Sequence, residues 1–586
     1  MGDTDLQRPQ LPRQRVVAVH AAGPHGGRHG AGHQPDRPGA GRRVGEAPVS
    51  ELLDIRGLRV SYGTRGGAIT AVDNLDLAVR PGEVVAVVGE SGSGKSTTAH
   101  AVIGLLPPNA RVDGGSIRFE GRELAGASDR ELRAVRGARI GLVPQDPTVS
   151  LNPVTRIGDQ VAEALRVHGL ADRRSATVEA VELLERAGLP DPAVRARQYP
   201  YELSGGMRQR ALIAVAIAAR PRLIIADEPT SALDVTVQRR ILDHLDALVR
   251  ESGAAMLLIT HDLGIAADRA HRVVVMSQGR AVEAGPTRTV LDVPRHPYTR
   301  GLLAAAPSLS VTDRVAPKHL PDGAALVTVE GVSKEFPLPR VNGGSRTVRA
   351  VDEVSFDIRR GETFALVGES GSGKSTTARL VLRLTEPTAG RITFAGADVT
   401  HARGPALRAL RRRAQLIYQN PYASLDPRFT VAKIVTEPLR AFGVGDRASR
   451  LARARDLVDR VALPSSALDR RPAQLSGGQR QRVAIARSLA LSPDLVVCDE
   501  PVSALDVSVQ DQVLRLLAQL QADTGVAYLF ISHDLAVVRQ IADRVAVMKD
   551  GRIVETATAA QLFDSPRHEY TRELLDAIPG RRATPL

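Results

Sequence analysis

The sequence predicts an α/β protein made of two copies of one domain, each with a parallel β-sheet as its core. The segment VGESGSGKSTTA occurs at 88–99 and again, without a change, at 367–378. Each copy follows a short apolar run and precedes a stretch of helix-forming composition. Further apolar runs, such as RLIIADE and DLVVCDE, alternate with helical stretches downstream. Short apolar strands separated by helices are typical of a parallel sheet that is covered on both faces.

The repeat extends far beyond this loop. The lysines of the two copies are 279 positions apart, and three later motifs (LSGG, DEP and an apolar strand that ends in histidine) each recur after 272 positions. A period of this length is that of a whole domain. A β-hairpin is predicted after each histidine strand, with turns at 278–279 and 550–551. The recurring positions are Lys95 and Lys374, Leu203 and Leu475, Asp227 and Asp499, and His261 and His533.

The repeat and the composition together predict the domain boundaries. We expect a first domain over 49–308, a short polar linker that contains proline over 309–325, and a second domain over 326–586. Residues 1–48 have no apolar period, which predicts either a disordered extension or a wrongly assigned start. In the second interpretation translation begins at Val49, because valine can be encoded by a GTG start codon. Peptides from upstream of Val49 in the native protein would exclude that interpretation.

Composition restricts the class of protein. The net charge is +13, but only six of the 78 basic residues are Lys, and the arginines are mixed with 65 acids along the chain. This pattern favours the codon bias of a GC-rich genome over a nucleic-acid-binding surface. The only cysteine, Cys498, excludes an internal disulfide, a Cys-rich zinc site and a four-Cys iron–sulfur cluster. No run approaches the ~18 apolar residues that a membrane-spanning helix needs.

The repeated loop has the residue pattern of a phosphate-binding P-loop. Gly89, Gly94, Lys95 and Ser96 match the pattern G-x-x-x-x-G-K-S, and the second copy matches it again. The glycines let backbone N–H groups converge on phosphate oxygens, and the helix that follows points its positive end at the same anion. Lysine neutralises the outer phosphates, and the serine hydroxyl is a ligand for Mg²⁺.

Each half also places two acids at the end of an apolar strand, where ligands of α/β sheets bind. These are Asp227 and Glu228 in the first half and Asp499 and Glu500 in the second. The first acid of each pair suits Mg²⁺, and the second is placed to activate a water for attack on the γ-phosphate.

The ordered set of P-loop, glutamine, LSGG[MQ]RQR, DEP, SALD and histidine resembles the ATP-binding cassette (ABC) ATPases over about 51–310 and 326–586. The resemblance implies two tandem P-loop NTPase domains of the ABC type, each with a parallel-sheet core, an antiparallel β subdomain and a helical subdomain. It implies that ATP and Mg²⁺ are bound and that ATP and water react to ADP and phosphate, coupled to transmembrane transport. It also implies head-to-tail closure of the two domains, with Lys95 of one facing Ser476 of the other.

The resemblance assigns roles residue by residue. The expected catalytic residues are Glu228, Glu500, His261 and His533. The expected Mg²⁺ ligands are Ser96, Gln145, Asp227, Ser375, Gln419 and Asp499. The residues expected to contact the nucleotide are Tyr62, Gly89, Ser91, Gly92, Gly94, Lys95, Ser96, Thr97, Gln145, Ser204, Gly205, Gly206, Asp227 and Asp234 in the first half, and Phe336, Gly368, Ser370, Gly371, Gly373, Lys374, Ser375, Thr376, Gln419, Ser476, Gly477, Gly478, Asp499 and Asp506 in the second.

Two further features resemble the importers of oligopeptides, dipeptides, nickel and glutathione. One is the loop after each glutamine, QDPTVSLNP and QNPYASLDP. The other is the tail of each domain, 295–307 and 567–579, which starts with RHPYTRGLL or RHEYTRELL. The second tail has Glu569 where the pattern has proline. The subfamily implies import of peptides or a related small solute through two integral-membrane permease subunits, with an extracellular or periplasmic solute-binding protein. It implies no nucleic acid, and a peripheral position at the cytoplasmic face of the inner (plasma) membrane.

Two other classes stay open on the sequence alone: an exporter-type ATPase for drugs, and a soluble tandem cassette protein that acts on ribosomes or DNA. The short linker is unlike the long charged helical linker of ribosomal members, and one cysteine cannot form the zinc modules of DNA-repair members. Co-purified permeases would favour the importer, and co-purified ribosomes or DNA would favour the soluble class. The sequence leaves open which solute is carried and whether the two complete sites are equally active.

Overall fold

The structure is a computed structural model of the chain. It describes residues 51–64, 66–231, 233–306, 324–337, 347–503 and 505–580. The predicted extension over 1–48 therefore lies outside the described residues, and so does the predicted linker apart from its last two positions.

The first half alternates strands and helices in the predicted order. Its strands are β1 (Leu53–Thr64), β2 (Gly67–Val79), β3 (Val84–Val88), β4 (Ala110–Phe119), β5 (Arg122–Glu123), β6 (Ile140–Val143), β7 (Leu223–Asp227), β8 (Ala255–Thr260), β9 (Arg272–Ser277) and β10 (Arg280–Pro286). Its helices are α1 (Lys95–Val102), α2 (Asp129–Val135), α3 (Pro147–Ser150), α4 (Ile157–Val167), α5 (Ser175–Arg186), α6 (Pro192–Arg195), α7 (Gly205–Ile217), α8 (Val235–Ser252), α9 (Leu263–Arg269), α10 (Thr287–Asp292) and α11 (Pro297–Ala305).

The second half repeats this series. Its strands are β11 (Val327–Pro337), β12 (Thr347–Ile358), β13 (Thr363–Val367), β14 (Ala389–Phe394), β15 (Ala397–Asp398), β16 (Ala414–Ile417), β17 (Leu495–Asp499), β18 (Ala527–Ser532), β19 (Arg544–Lys549) and β20 (Arg552–Thr558). Its helices are α12 (Lys374–Val381), α13 (Gly404–Arg413), α14 (Pro421–Ser424), α15 (Val431–Ala441), α16 (Arg447–Arg460), α17 (Gly477–Ser488), α18 (Val507–Thr524), α19 (Leu535–Ile541), α20 (Ala559–Asp564) and α21 (Glu569–Asp576).

Each half has a six-stranded sheet at its centre, with the order β10-β9-β3-β8-β7-β6 in the first half and the matching order in the second. The strands β6, β7, β8, β3 and β9 are parallel, and only β10 runs antiparallel at the edge. All residues of β3 and β8 are buried. Burial on both faces explains why these strands are continuous apolar runs and do not alternate.

Two smaller layers complete each half. A four-stranded antiparallel sheet, with the order β2-β1-β4-β5 or β12-β11-β14-β15, packs against the central sheet. Along the chain, helices α3 to α6 lie between β6 and α7, and helices α14 to α16 lie between β16 and α17. The predicted hairpin turns are present, and Gln278 and Gly279 both have positive φ (49° and 81°), as a two-residue hairpin turn requires. The predicted fold class is confirmed.

The interior strands also place the one cysteine. Cys498 lies in β17 and is fully buried, and burial raises the pKa of its thiol far above the ordinary value. In the part of the chain that the structure describes, no helix is both long enough and apolar enough to cross a bilayer.

Candidate functional site

The P-loop of each half is fixed by contacts that only glycine allows. Gly94 precedes α1 with φ of 100°, and a Cβ atom there would lie 2.5 Å from the carbonyl oxygen of Ala71. Gly373 has φ of 105° and the same 2.5 Å approach to the carbonyl oxygen of Ala350. At the loop tip, a Cβ on Gly92 would meet no atom within 4 Å. The loop is thus held tightly at its base, and there is room beside Gly92 at its tip.

Lys95 is the first residue of α1, and its side chain folds back over the loop. Its Nζ donates to the carbonyl oxygens of Gly89 (2.7 Å) and Glu90 (2.8 Å). Burial lowers the pKa of this ammonium, and the nearby carboxylates, led by Glu228, oppose that shift. Lys374 makes the matching bonds at 2.7 Å each, and its pKa is lowered for the same reason.

The next serine of the loop faces the first acid of the strand. Ser96 Oγ donates to Asp227 Oδ1 at 2.9 Å, and Ser375 Oγ donates to Asp499 Oδ1 at 3.0 Å. Burial raises the pKa of both carboxyls, and the serine hydrogen bonds partly offset it. Two sequence-predicted Mg²⁺ ligands of each half therefore lie within hydrogen-bond distance of each other.

The second acid is held by the glutamine and the histidine. In the first half, Gln145 Nε2 donates to Glu228 Oε2 (2.8 Å), and His261 Nδ1 lies 3.2 Å from Glu228 Oε1. Glu228 has φ of 44°, a conformation that side-chain-bearing residues adopt at a cost and that clusters at functional sites. Glu228, Gln145 and His261 follow the ends of the neighbouring strands β7, β6 and β8. The ends of three strands together therefore hold the carboxylate.

Electrostatics favour a charged pair at this position. Burial raises the pKa of the Glu228 carboxyl, but the hydrogen bond and charge of His261, followed by Lys95 and Gln145, outweigh it, so the pKa lies below its ordinary value. Burial lowers the pKa of His261, and the bond to Glu228 more than reverses this, so the pKa is raised. The arrangement keeps the carboxylate ionised, as a proton acceptor must be.

The second half repeats the group with almost the same distances. Gln419 Nε2 donates to Glu500 Oε2 at 2.7 Å, and His533 Nδ1 lies 3.1 Å from Glu500 Oε1. The pKa of Glu500 is lowered and that of His533 is raised by the same competition between burial and mutual attraction. Glu500 also has positive φ, at 48°.

The predicted adenine-stacking aromatics differ between the halves. Tyr62 ends the buried part of β1, and its hydroxyl is 3.1 Å from Thr97 Oγ1 on the P-loop helix. Phe336, at the matching end of β11, has no hydroxyl and is 40% exposed, with Lys334 Nζ 5.2 Å from its ring centroid.

The two LSGG segments begin helices, as the sequence predicts. Ser204 caps α7 by accepting from the Met207 N–H at 3.3 Å, and Ser476 caps α17 by accepting from the Gln479 N–H at 3.3 Å. Only the second helix has a reciprocal bond, from the Ser476 N–H to Gln479 Oε1 at 3.1 Å. Both serine hydroxyls are thus engaged at the start of their own helices. The predicted approach of Ser476 to Lys95 stays a prediction.

Contact between the halves is made next to the P-loops by the SALD motifs and the residues that follow them. The Ser91 N–H donates to Asp506 Oδ1 at 2.7 Å, and Thr236 Oγ1 donates to Glu369 Oε1 at 2.5 Å. A cavity of 730 Å³ lies between the halves. Its walls include the catalytic candidates of both halves, namely Glu228, His261, Glu500 and His533, with Gln145 and Gln419.

Sequence reasoning missed three pairs of residues at this contact: Glu90 and Glu369 in the loops, Thr236 and Ser508 after SALD, and Tyr298 and Tyr570 in the tails. Each pair recurs at the period of its surrounding motif, which is the signal that was available. The recurrence does not indicate which half each residue contacts.

The fold and the site define a protein with two nucleotide-binding P-loop domains. The family model described as "ABC transporter" matches residues 72–231 and 351–503. A second one, "Oligopeptide/dipeptide transporter, C-terminal region", matches 282–328 and 554–584. The chain belongs to the ABC transporter family and is one of its ATPases.

Among the similar proteins is the glutathione import ATP-binding protein GsiA of Salmonella choleraesuis (strain SC-B67), with 44% identity over 563 residues, 91% of this chain and 90% of the relative. The protein of the same name from Escherichia coli (strain K12) gives the same identity and the same coverage of both chains. A solved structure of the dimeric ATP-binding cassette MJ0796 with ADP and Pi aligns with 40% of this chain and 98% of its own, at 29% identity and a TM-score of 0.37.

Proposed function

We propose that this protein hydrolyses ATP at two sites to energise the import of a peptide or a related small solute through a membrane permease. The observation that carries the proposal is the complete group of lysine, serine, aspartate, glutamate, glutamine and histidine in both halves, in a chain that also has two importer-type tails. In each site the glutamate accepts the proton of the attacking water, and the histidine keeps it ionised and oriented.

The residues present fit Mg²⁺. The Ser96 hydroxyl and the Asp227 carboxylate are 2.9 Å apart, and both are hard oxygen donors of the kind that Mg²⁺ takes together with phosphate oxygens. The amide of Gln145 donates to the neighbouring carboxylate, that of Glu228. When bound, the ion would neutralise negative charge on the β- and γ-phosphates. Ser375, Asp499 and Gln419 offer the same donors in the second half.

The proposal of import rests on the named relatives and on the two importer-type tails. The relatives of 44% identity are named as glutathione import proteins, so glutathione or another small peptide is the proposed cargo. Two permease subunits would bind the cassettes at the cytoplasmic face of the plasma membrane, and a solute-binding protein outside would deliver the cargo.

A groove of 940 Å³ beside the helical subdomain of the second half supports a permease contact. Arg379, Arg408 and Arg411 are among the residues that line it. The matching positions of the first half are His100, Arg133 and Arg136, since LRAVR (132–136) aligns with LRALR (407–411). The permease segment that binds this groove would therefore carry acidic residues.

ATP hydrolysis by the full-length protein tests the site assignment. Glu228→Gln or Glu500→Gln alone should leave partial activity, and the double variant should lose on the order of 10²–10⁴-fold, the scale of a lost general base. If Glu228→Gln has no effect on the rate, the assigned role is wrong.

Uptake and co-purification test the transport assignment. Cells that lack this gene should lose uptake of labelled glutathione or dipeptide, and the wild-type gene should restore it where the double glutamate variant does not. Recovery of permease subunits with the tagged protein is expected. Recovery of ribosomes or DNA in their place would contradict import.

A further inference from the structure

The tail of the first half is fixed to the edge of its own central sheet. The carboxylate of Glu283 on β10 accepts from the N–H groups of Arg295 (2.8 Å) and His296 (3.1 Å). The imidazole of His296 then accepts from the Tyr298 N–H at 3.2 Å and starts α11. This chain of bonds sets the position of the Tyr298 ring.

The phenol of Tyr298 lies against the P-loop. Its oxygen accepts from the Glu90 N–H at 3.2 Å. Glu90 is the residue whose carbonyl oxygen accepts from Lys95 Nζ at 2.8 Å. Burial, together with the nearby carboxylates, raises the pKa of the phenol despite the Glu90 N–H, so it stays protonated at neutral pH. The tail thus bonds to Glu90, which in turn bonds to Lys95.

The same loop residue reaches the other half of the molecule. The Glu90 carboxylate accepts from the Ser508 hydroxyl in the first turn of α18. One residue further, the Ser91 N–H donates to Asp506. A continuous path therefore runs from Tyr298 through Glu90 to Ser508.

The second half has the same path, which runs from its own tail and P-loop to the first half. Tyr570 accepts from the Glu369 N–H at 3.2 Å, and the Glu369 carboxylate accepts from Thr236 Oγ1 at 2.5 Å. Glu555 fixes this tail by accepting from the N–H groups of Arg567 (2.9 Å) and His568 (3.0 Å). The path is therefore present twice in one chain.

Apolar packing follows the polar path. Val507 of α18 and Tyr298 of the first tail pack against the same buried cluster, which contains Leu302. Val235 of α8 is 7% exposed and belongs to the cluster of the second tail, which contains Tyr570. Each tail thus packs against a helix of the opposite half, α18 or α8. The same helix carries the residue that bonds to the P-loop glutamate.

We propose that Tyr298 and Tyr570 are positioning residues that hold each P-loop in the conformation in which its glutamate binds the opposite half. Packing alone would be served by phenylalanine; the hydroxyl is the group that meets the P-loop N–H. The tail therefore couples nucleotide binding in one half to the contact with the other half. This inference rests on the proposed two-site ATPase.

Double-mutant cycles on the full-length protein test the path. Tyr298→Phe and Ser508→Ala should each raise the KM for ATP about 2- to 10-fold, the effect of one lost hydrogen bond. Because both belong to one path, their combined effect should be clearly smaller than the product of the two. Tyr298→Phe with Thr236→Ala is the matched control, since Thr236 lies on the other path. The effects of these two substitutions on KM should multiply. The Hill coefficient for ATP should fall in Tyr298→Phe, which a residue that only packs would not cause.

An unchanged KM in Tyr298→Phe, or effects that multiply within the path as they do between paths, would overturn the inference. If Tyr298→Phe lowers the yield of folded protein, the cycle of Tyr570→Phe with Thr236→Ala, controlled by Ser508→Ala, is an independent copy of the test. The glutamate double variant separates the two failures. If the double glutamate variant keeps full ATPase activity, the proposed function fails. If that variant loses activity but the effects on KM within one path multiply, only the inference about the tails fails.

Discussion

The two P-loops have the same sequence but meet different contacts from the opposite half. Asp506 turns away from its own helix α18, which has no side-chain cap bond, and accepts from Ser91 of the first P-loop at 2.7 Å. Asp234, at the matching position, caps its own helix α8 by accepting from the Val237 N–H at 3.0 Å. Each P-loop glutamate accepts a hydroxyl bond from the opposite half, Glu369 from Thr236 and Glu90 from Ser508, so the Asp506 bond is what the first P-loop has in addition. Identical loops thus do not make identical sites, because part of each site comes from the other half.

The largest expected effect tests what the halves share. Gly94→Ala and Gly373→Ala should each weaken nucleotide binding in their own half by more than about 100-fold, because strain of about 1–3 kcal/mol at positive φ adds to a clash with backbone. Binding of a fluorescent ATP analogue to the full-length protein measures this. Gly82→Ala, where φ is 69° and a Cβ would meet no atom within 4 Å, is the control and should keep affinity. Tolerance of one P-loop substitution but not the other would show that the loops are unlike after all.

The next effect addresses the difference directly. Asp506→Ala removes a charged acceptor and should raise the KM of the first site roughly 10- to 100-fold, from about 1.5–3 kcal/mol. Asp234→Ala removes a helix cap worth about 0.5–2 kcal/mol and should mainly lower the melting temperature by a few degrees. Kinetics and calorimetry on both variants separate these outcomes. Equal kinetic effects would mean that the asymmetry does not persist in solution.

The histidine–glutamate pairs should respond to pH alike in both halves. The pKa of each histidine is raised above 6.5, so its contribution to stability is complete below pH 6.5 and is lost as pH rises through the raised value. The pKa of each glutamate is lowered from 4.5, so its contribution is complete above pH 4.5 and is lost as pH falls through the lowered value. His261→Ala and His533→Ala should therefore lower the melting temperature more at about pH 6 than at about pH 9. A loss that grows toward alkaline pH would contradict the ion pairs.

The smallest effect concerns the aromatic residues. Tyr62→Phe removes the bond to Thr97 and should raise the KM of the first site at most a few-fold, since a neutral hydrogen bond contributes about 0.5–1.5 kcal/mol. Phe336→Tyr is the reciprocal change and should make the two sites more alike. Site-resolved binding of the nucleotide analogue measures both. An effect of Tyr62→Phe larger than that of Asp506→Ala would mean that the aromatic contact matters more to the first site than the contact between the halves.

The groups inside each half could be predicted from the sequence. Glu228 and His261 both follow apolar strands, and the carboxyl ends of parallel strands meet at one edge of the sheet, so their proximity follows from the pattern. The hairpin turns follow from local residue type as well, because Gln-Gly and Asp-Gly suit positive φ.

The contacts between the halves could not be predicted in this way. Asp234 and Asp506 lie in the same SALD sequence, and which of them caps a helix depends on the loop that faces it in three dimensions. The tail tyrosines were visible as a recurring motif, but their P-loop partners lie 208 and 201 positions away along the chain, beyond any local pattern. Non-local geometry decides both.

The buried cysteine has a practical consequence. Cys498 is fully enclosed in β17 and its thiol resists ionisation, so thiol reagents should leave the native chain unmarked. A pair of cysteines introduced on exposed positions of the two halves, such as Val154 and Leu451, would then be the only sites for spin or fluorescent labels. The movement of one half against the other during a nucleotide cycle can thus be followed without first removing any native residue.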